Sequence, residues 1–160
     1  TYPGQCILEG TNLSEGRGTT RPFELFGAPW IRANDFAKAM REWNLEGVAF
    51  REVSFRPTFQ KHAKTTVSGL QLHVTDRDRF RSVEMTYCLI ATLMKSYEEF
   101  GWRTEVYEFV KDQLAIDLLF GNDRVRTALE SGADPRELVR AHEMERAEFD
   151  ALRKECLLYA

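Results

Sequence analysis

A chain of 160 residues, 43% apolar and 12% aromatic, holds the material for one hydrophobic core, which fits a single domain. Its 22 Lys and Arg against 25 Asp and Glu leave a net charge of −3 with no basic block, which argues against a nucleic-acid surface. No apolar run reaches the length that spans a bilayer, and Thr1 does not open a charged-then-apolar leader.

The first apolar run, Gln5-Cys6-Ile7-Leu8, reads as a short buried strand with Glu9 at its end. A glycine-punctuated loop follows, Gly10-Thr11-Asn12-Leu13-Ser14-Glu15-Gly16-Arg17-Gly18-Thr19-Thr20, and it concentrates carboxylates, an amide, hydroxyls and an arginine. Two readings stand. In one, the glycines supply unusual dihedrals and the polar side chains satisfy the loop's own amides. In the other, the loop grips a ligand, with backbone N–H groups toward an anion and Arg17 forked onto a carboxylate. The glycine spacing matches neither a dinucleotide fingerprint nor a Walker A loop.

Next, Asn34 is placed to cap a helix whose apolar positions Phe36, Ala37, Met40 and Trp43 recur at helical spacing, with Trp43 in the core. Val48 to Phe55 predicts a strand stopped by Arg56-Pro57, and Ser68 to Thr75 predicts a second. Alternation in the second puts Leu70, Leu72 and Val74 on a core face and Gln71, His73 and Thr75 on a polar one. Ser82 is placed to cap a long helix through Tyr97 whose apolar stripe is wide enough for a central, buried position. Two helices follow: Asp123 to Glu130, capped by Asn122 and closed by Gly132, and a long one from Asp134-Pro135 toward Tyr159 with a charged, solvated face. Strands first and helices later give an α+β fold, a small sheet followed by several packed helices.

The cysteines Cys6, Cys88 and Cys156 lie far apart in apolar stretches and read as small hydrophobes, not a disulfide framework. His62, His73 and His142 show no paired-ligand spacing, so neither a metal nor a cofactor is expected.

The string Glu9 to Thr20, continued by Pro22-Phe23 and Gly27-Ala28-Pro29-Trp30-Ile31, resembles the motif of the exo-β-N-acetylmuramidases of glycoside hydrolase family 171, long catalogued as a domain of unknown function. Phe55-Arg56-Pro57-Thr58-Phe59-Gln60-Lys61 and Gly69-Leu70-Gln71-Leu72-His73-Val74-Thr75-Asp76-Arg77 resemble it as well, whereas His62 to Ser68 departs from it where a glycine and a cysteine are often found. The resemblance implies that residues 1–160 are the C-terminal domain of a two-domain protein whose N-terminal half is Rossmann-like, with the catalytic cleft between the halves. It also implies a role in releasing terminal N-acetylmuramic acid from peptidoglycan fragments, in the periplasm or outside the cell.

Most glycosidases break the glycosidic bond with two carboxyl groups. Within this chain the catalytic candidates are Glu9 and Asp76, each placed by the sequence at a strand end. Against these roles, Glu9 can organise its loop, and Asp76 can pair with Arg77 or Arg79 or cap a helix. The substrate-binding candidates are Thr11 and Asn12 for sugar polar groups, Thr19 in the same loop, Arg17 for the lactyl carboxylate, His73 on the polar strand face, and Trp30 as a stacking wall. The competing class is a non-catalytic carbohydrate-binding or protein-interaction module, which needs no acid essential to turnover.

Overall fold

The computed structural model describes residues 1–159, the side chain of Met144 excepted. The chain opens with a one-turn helix, α1 (Tyr2–Gln5), which runs into a 3-10 turn over Cys6–Gly10. The strand expected at Gln5 to Leu8 is therefore helical. A four-residue apolar run carries no periodicity that separates the two states. Pro3 in the first turn and the Gly4 and Gln5 amides donating to the Thr1 carbonyl favour the helix. Gly4 has no room for a side chain: a Cβ there would lie 2.1 Å from the Ser82 carbonyl oxygen, so α1 packs directly on the long helix α3 (Ser82–Ser96).

Three strands form one antiparallel sheet, β1 (Leu25–Ala28), β2 (Val48–Phe55) and β3 (Val67–Val74), in the order β1-β3-β2. β2 and β3 are the expected strands. β1 was not apparent from the sequence, because four residues, one of them glycine, are too few for an alternation. β3 is central, and its register sets Gly69 opposite Gly27 and Gln71 opposite Arg51. The central position explains why Gln71, assigned to a polar face, is buried: Arg51 on β2 donates to its side-chain carbonyl.

Helix α2 (Ala33–Glu42) packs on β2 and β3, and α3 packs on α1 and α2. Phe26, Phe36, Met40, Leu70, Leu72, Leu89, Ile90 and Leu93 make the centre of one continuous core. Trp43 joins its edge and donates its indole N–H to Thr92 at 2.8 Å. Neither α2 nor α3 is capped as expected: Arg32 and Arg81 occupy the N-cap positions without side-chain caps, while Asn34 reaches toward Glu52 at 3.4 Å.

Four shorter segments complete the chain: α4 (Ala115–Phe120), α5 (Arg124–Glu130), α6 (Pro135–Ala141) and α7 (Glu143–Cys156). α4 was not foreseen. The long terminal helix is two helices broken at His142, the first opened by the Asp134 carboxylate accepting from the Arg136 amide at 2.8 Å. Helix α7 leaves Phe149, Leu152 and Cys156 exposed, so Cys156 is not the buried residue its apolar surroundings suggested. The sum is a single α+β domain, as the order of elements predicts.

Candidate functional site

Glu9 lies in the last positions of the 3-10 turn, just before Gly10, and its side chain is only 12% exposed. One carboxylate oxygen accepts from Arg17 Nη2 at 2.8 Å, the other from the Tyr107 hydroxyl at 3.2 Å. Arg17 reaches Glu9 because the loop doubles back at Gly16 and Gly18, both at positive φ, 81° and 79°. At Gly18 a Cβ would also lie 2.7 Å from the Phe59 backbone nitrogen, so this position needs glycine for dihedral and space alike. The guanidinium then spans two acids, Glu9 and, through Nε at 3.4 Å, Glu15, and lies over the Phe23 ring at 5.0 Å.

Beneath this pair lies Lys61, whose three ammonium protons match three acceptors: the carbonyls of Leu8 at 2.8 Å and Leu13 at 3.0 Å, and Glu15 Oε2 at 3.0 Å. Glu15 is 3% exposed in its side chain and Lys61 17%. Burial pushes the Lys61 ammonium below its ordinary range, with the Glu15 charge opposing. Lys61 is carried in by a loop in which Gln60, His62 and Lys64 all have positive φ. That loop is tied to its neighbour by the Thr58 amide on the Gly18 carbonyl at 2.9 Å and by His62 Nε2 against the Asn12 carbonyl oxygen at 2.8 Å. Tyr107 arrives from the irregular segment after α3. Burial first and the Glu9 charge second push its phenol up to about 12, so it remains a donor.

The expected site residues divide. Glu9 and Arg17 come together. Thr11, fully buried, bonds the Leu8 carbonyl at 2.8 Å through its hydroxyl and receives the Leu13 amide at 3.1 Å. Asn12 spends its amide on the Glu99 carbonyl and the Gly101 N–H, which ties the loop to the segment beyond α3. Thr19 closes a turn on the Gly16 carbonyl at 2.6 Å. Trp30 packs against Tyr97 with ring centroids 5.4 Å apart, at the edge of the core. His73 is exposed and lines a groove of about 560 Å³ with Thr1, Glu24, Arg77 and Phe80.

Asp76 is exposed on the turn after β3, where its Oδ1 accepts from the Asp78 and Arg79 amides at 3.0 and 3.3 Å and Arg79 Nε lies 3.8 Å from Oδ2. Its bonding partners and those of Glu9 are separate sets. Sequence reasoning missed Glu15, Lys61, Tyr107 and Arg103, whose amide donates to the Gly10 carbonyl at 2.9 Å, as members of the Glu9 neighbourhood. Lys61 lies in a motif already singled out, but no local pattern indicates that its ammonium turns inward. Tyr107 lies in a segment without periodicity.

Among the described residues no group of three or more His, Cys, Asp or Glu is arranged to hold a metal ion. No helix among them is long and apolar enough to cross a membrane.

Comparison with known proteins places this geometry in a family. The chain is 40% identical over 158 residues to the peptidoglycan beta-N-acetylmuramidase NamZ of Bacillus subtilis (strain 168), an alignment that takes in 99% of this chain and 36% of that protein. The chain thus spans about a third of the length of the curated relative it matches. Two crystal structures of DUF1343 family proteins from Bacteroides fragilis NCTC 9343 share the fold. The first has a TM-score of 0.81 at 24% identity and matches 99% of this chain and 41% of that one. The second has a TM-score of 0.65 at 24% identity, with 99% and 39% covered. The family described as "Exo-beta-N-acetylmuramidase NamZ, C-terminal" matches residues 1–159, and the chain belongs to that family.

Proposed function

We propose that this chain is the C-terminal part of a peptidoglycan-fragment glycoside hydrolase that releases terminal N-acetylmuramic acid, and that it lines the substrate cleft with the Glu9 neighbourhood. The observation that carries the reading is the Glu9 carboxylate itself: nearly buried, held on one oxygen by Arg17 and on the other by Tyr107, at the start of the motif that the family resemblance rests on. A carboxylate that receives two hydrogen bonds is an acceptor fixed in place. That arrangement suits a general base, a nucleophile, or an anion facing an oxocarbenium-like transition state better than a proton donor. The second carboxyl group then comes from elsewhere. Asp76 is the other acid this chain offers, and its turn already engages it. We therefore assign the proton donor to the remainder of the protein, for which the 36% coverage of the Bacillus subtilis relative leaves ample length. A Rossmann-like N-terminal domain is the partner implied, and the substrate class puts the reaction in the periplasm or outside the cell.

The test is Glu9→Gln in the full-length protein, with turnover of a muramyl substrate and its binding measured separately. Loss of about 100-fold or more in kcat with Kd within about threefold of wild type supports a role in the chemical step. Equal losses in both make Glu9 a binding residue. Undiminished turnover overturns the assignment and favours a non-catalytic binding module.

A further inference from the structure

We infer that Arg103 reads the carboxylate of the substrate, taking the lactyl group that distinguishes a muramyl from a glucosaminyl sugar. The inference rests on the muramidase reading above and extends it to a residue that the sequence did not single out.

Arg103 belongs beside Glu9 by its backbone. Its amide donates to the Gly10 carbonyl at 2.9 Å, next to Glu9 in the chain, and a bridge between Thr11 and Trp102 continues the pairing. Its guanidinium lies over the Tyr107 ring at 5.3 Å from the centroid, and the hydroxyl of that ring is the one on Glu9. Stacking of this kind orients the planar fork before any ligand arrives.

Charge then separates Arg103 from its neighbours. Glu9 and Glu15 are balanced by Arg17 and Lys61, so the inner cluster is neutral as it stands. Arg17 is committed to both acids, although its place between two glycines recommended it for the lactyl role, and each Lys61 proton has an acceptor. Arg103 is the fifth charge, and its own contacts are long: 3.6 Å from Nε to Glu105, and 3.4 Å from Nη2 to the Val106 carbonyl. Glu105 is 75% exposed against 27% for Arg103, and an ion pair that open to water is weak and easily exchanged. An incoming carboxylate meets a half-buried cation with N–H groups to spare, the geometry that favours bidentate recognition. The Arg103 charge is also felt at Lys61, where it adds to burial in holding the ammonium below its ordinary range. A ligand anion at Arg103 relieves that repulsion.

The experiment uses the full-length protein and two chromogenic substrates, an aryl β-N-acetylmuraminide and the same compound with its lactyl group methyl-esterified. Wild type is expected to prefer the free acid. In Arg103→Gln the kcat/KM for the acid is expected to fall about 10- to 100-fold, mainly through KM, the range of a lost hydrogen bond to a charged group, while that for the ester stays within about threefold. Arg103→Lys, which keeps the charge and loses the fork, is expected to fall between the two and carries the test if the glutamine variant does not fold. Glu105→Gln is expected to leave the preference intact. An acid-to-ester preference unchanged in Arg103→Gln, or in Arg103→Lys where that variant stands in, overturns the inference. A wild-type protein that hydrolyses neither compound overturns the muramidase reading instead.

Discussion

Glu9 and Asp76 look alike in the sequence, each an acid at the margin of an ordered segment and inside a family-like motif, yet the fold treats them in opposite ways. Glu9 is bound by side chains from positions 8 and 98 residues away, over a layer formed by Lys61 and Glu15. Asp76 is bound by the amides two and three residues further on, those of Asp78 and Arg79, and by a long contact to the Arg79 side chain. Long-range partners converge on Glu9 and local ones suffice for Asp76. A carboxylate that a turn can satisfy alone serves the turn. One that needs an arginine, a tyrosine and a buried lysine beneath them marks a place where the chain has been organised around a charge.

The sharpest way to break this contrast is to remove the layer under Glu9. Lys61→Met leaves the Glu15 carboxylate buried with only the 3.4 Å contact to Arg17, and takes a charged donor away from the Leu8 and Leu13 carbonyls. Breaking a buried pair from one side costs about 3–5 kcal/mol. Denaturant unfolding of Lys61→Met is therefore expected to show a loss in that range. A loss below about 1 kcal/mol, the level of an exposed pair, would mean that the cluster is solvated and the contrast with Asp76 is one of appearance.

The sequence revealed the scaffold better than the site, for physical reasons. Val48 to Phe55, Ser68 to Thr75 and the stripe from Val83 to Tyr97 carry apolar and β-branched patterning in the sequence, which a linear reading can detect. The glycine-rich loop announced itself through composition. Its internal use of Thr11, Asn12 and Thr19 did not, because which amide or carbonyl a hydroxyl finds is decided only when the Lys61 loop and the segment after α3 close over it. Tyr107 and Arg103 come from a stretch with no repeating pattern, and their placement depends on the Gly10 carbonyl and the Thr11–Trp102 bridge. The helix in place of a strand at Gln5 to Leu8 has the same origin, since the tight seat of Gly4 on Ser82 is a tertiary fact.

A milder effect is expected at the other carboxylate. Asp76→Ala removes the one side-chain oxygen that accepts from two amides in an exposed turn, a loss of about 1 kcal/mol on the scale of cap and turn substitutions. The Glu9 neighbourhood shares none of those bonds, so the acid-to-ester preference and kcat of the full-length protein are expected to be unchanged. A fall in kcat beyond about tenfold without a matching loss of stability would give Asp76 a place in the chemistry and undo the asymmetry.

The smallest expected effect concerns the phenol on Glu9, and its sign can be worked out. Tyr107 is pushed up from its ordinary 10.0 to about 12, by burial first and by the Glu9 charge second. Between those two values the unfolded chain has released this proton and the folded chain still holds it. The folded state then binds more protons, and stability falls as pH rises through the window, having been fully present below 10.0. Tyr87 and Cys88 are also pushed to about 12 and slope the same way, while Lys61, held below its ordinary value, slopes the other way below 10.5. All three are common to wild type and Tyr107→Phe, so the measurement is the difference between the two proteins in urea midpoint across pH 9 to 12. Wild type is expected to lose stability more steeply, by less than one proton's worth because the phenol is partly exposed and solvent weakens the Glu9 charge. Parallel profiles would mean that the hydroxyl releases its proton as freely in the folded chain as in the unfolded one. Glu9 would then be held by Arg17 alone, closer to the locally served Asp76 than the geometry makes it.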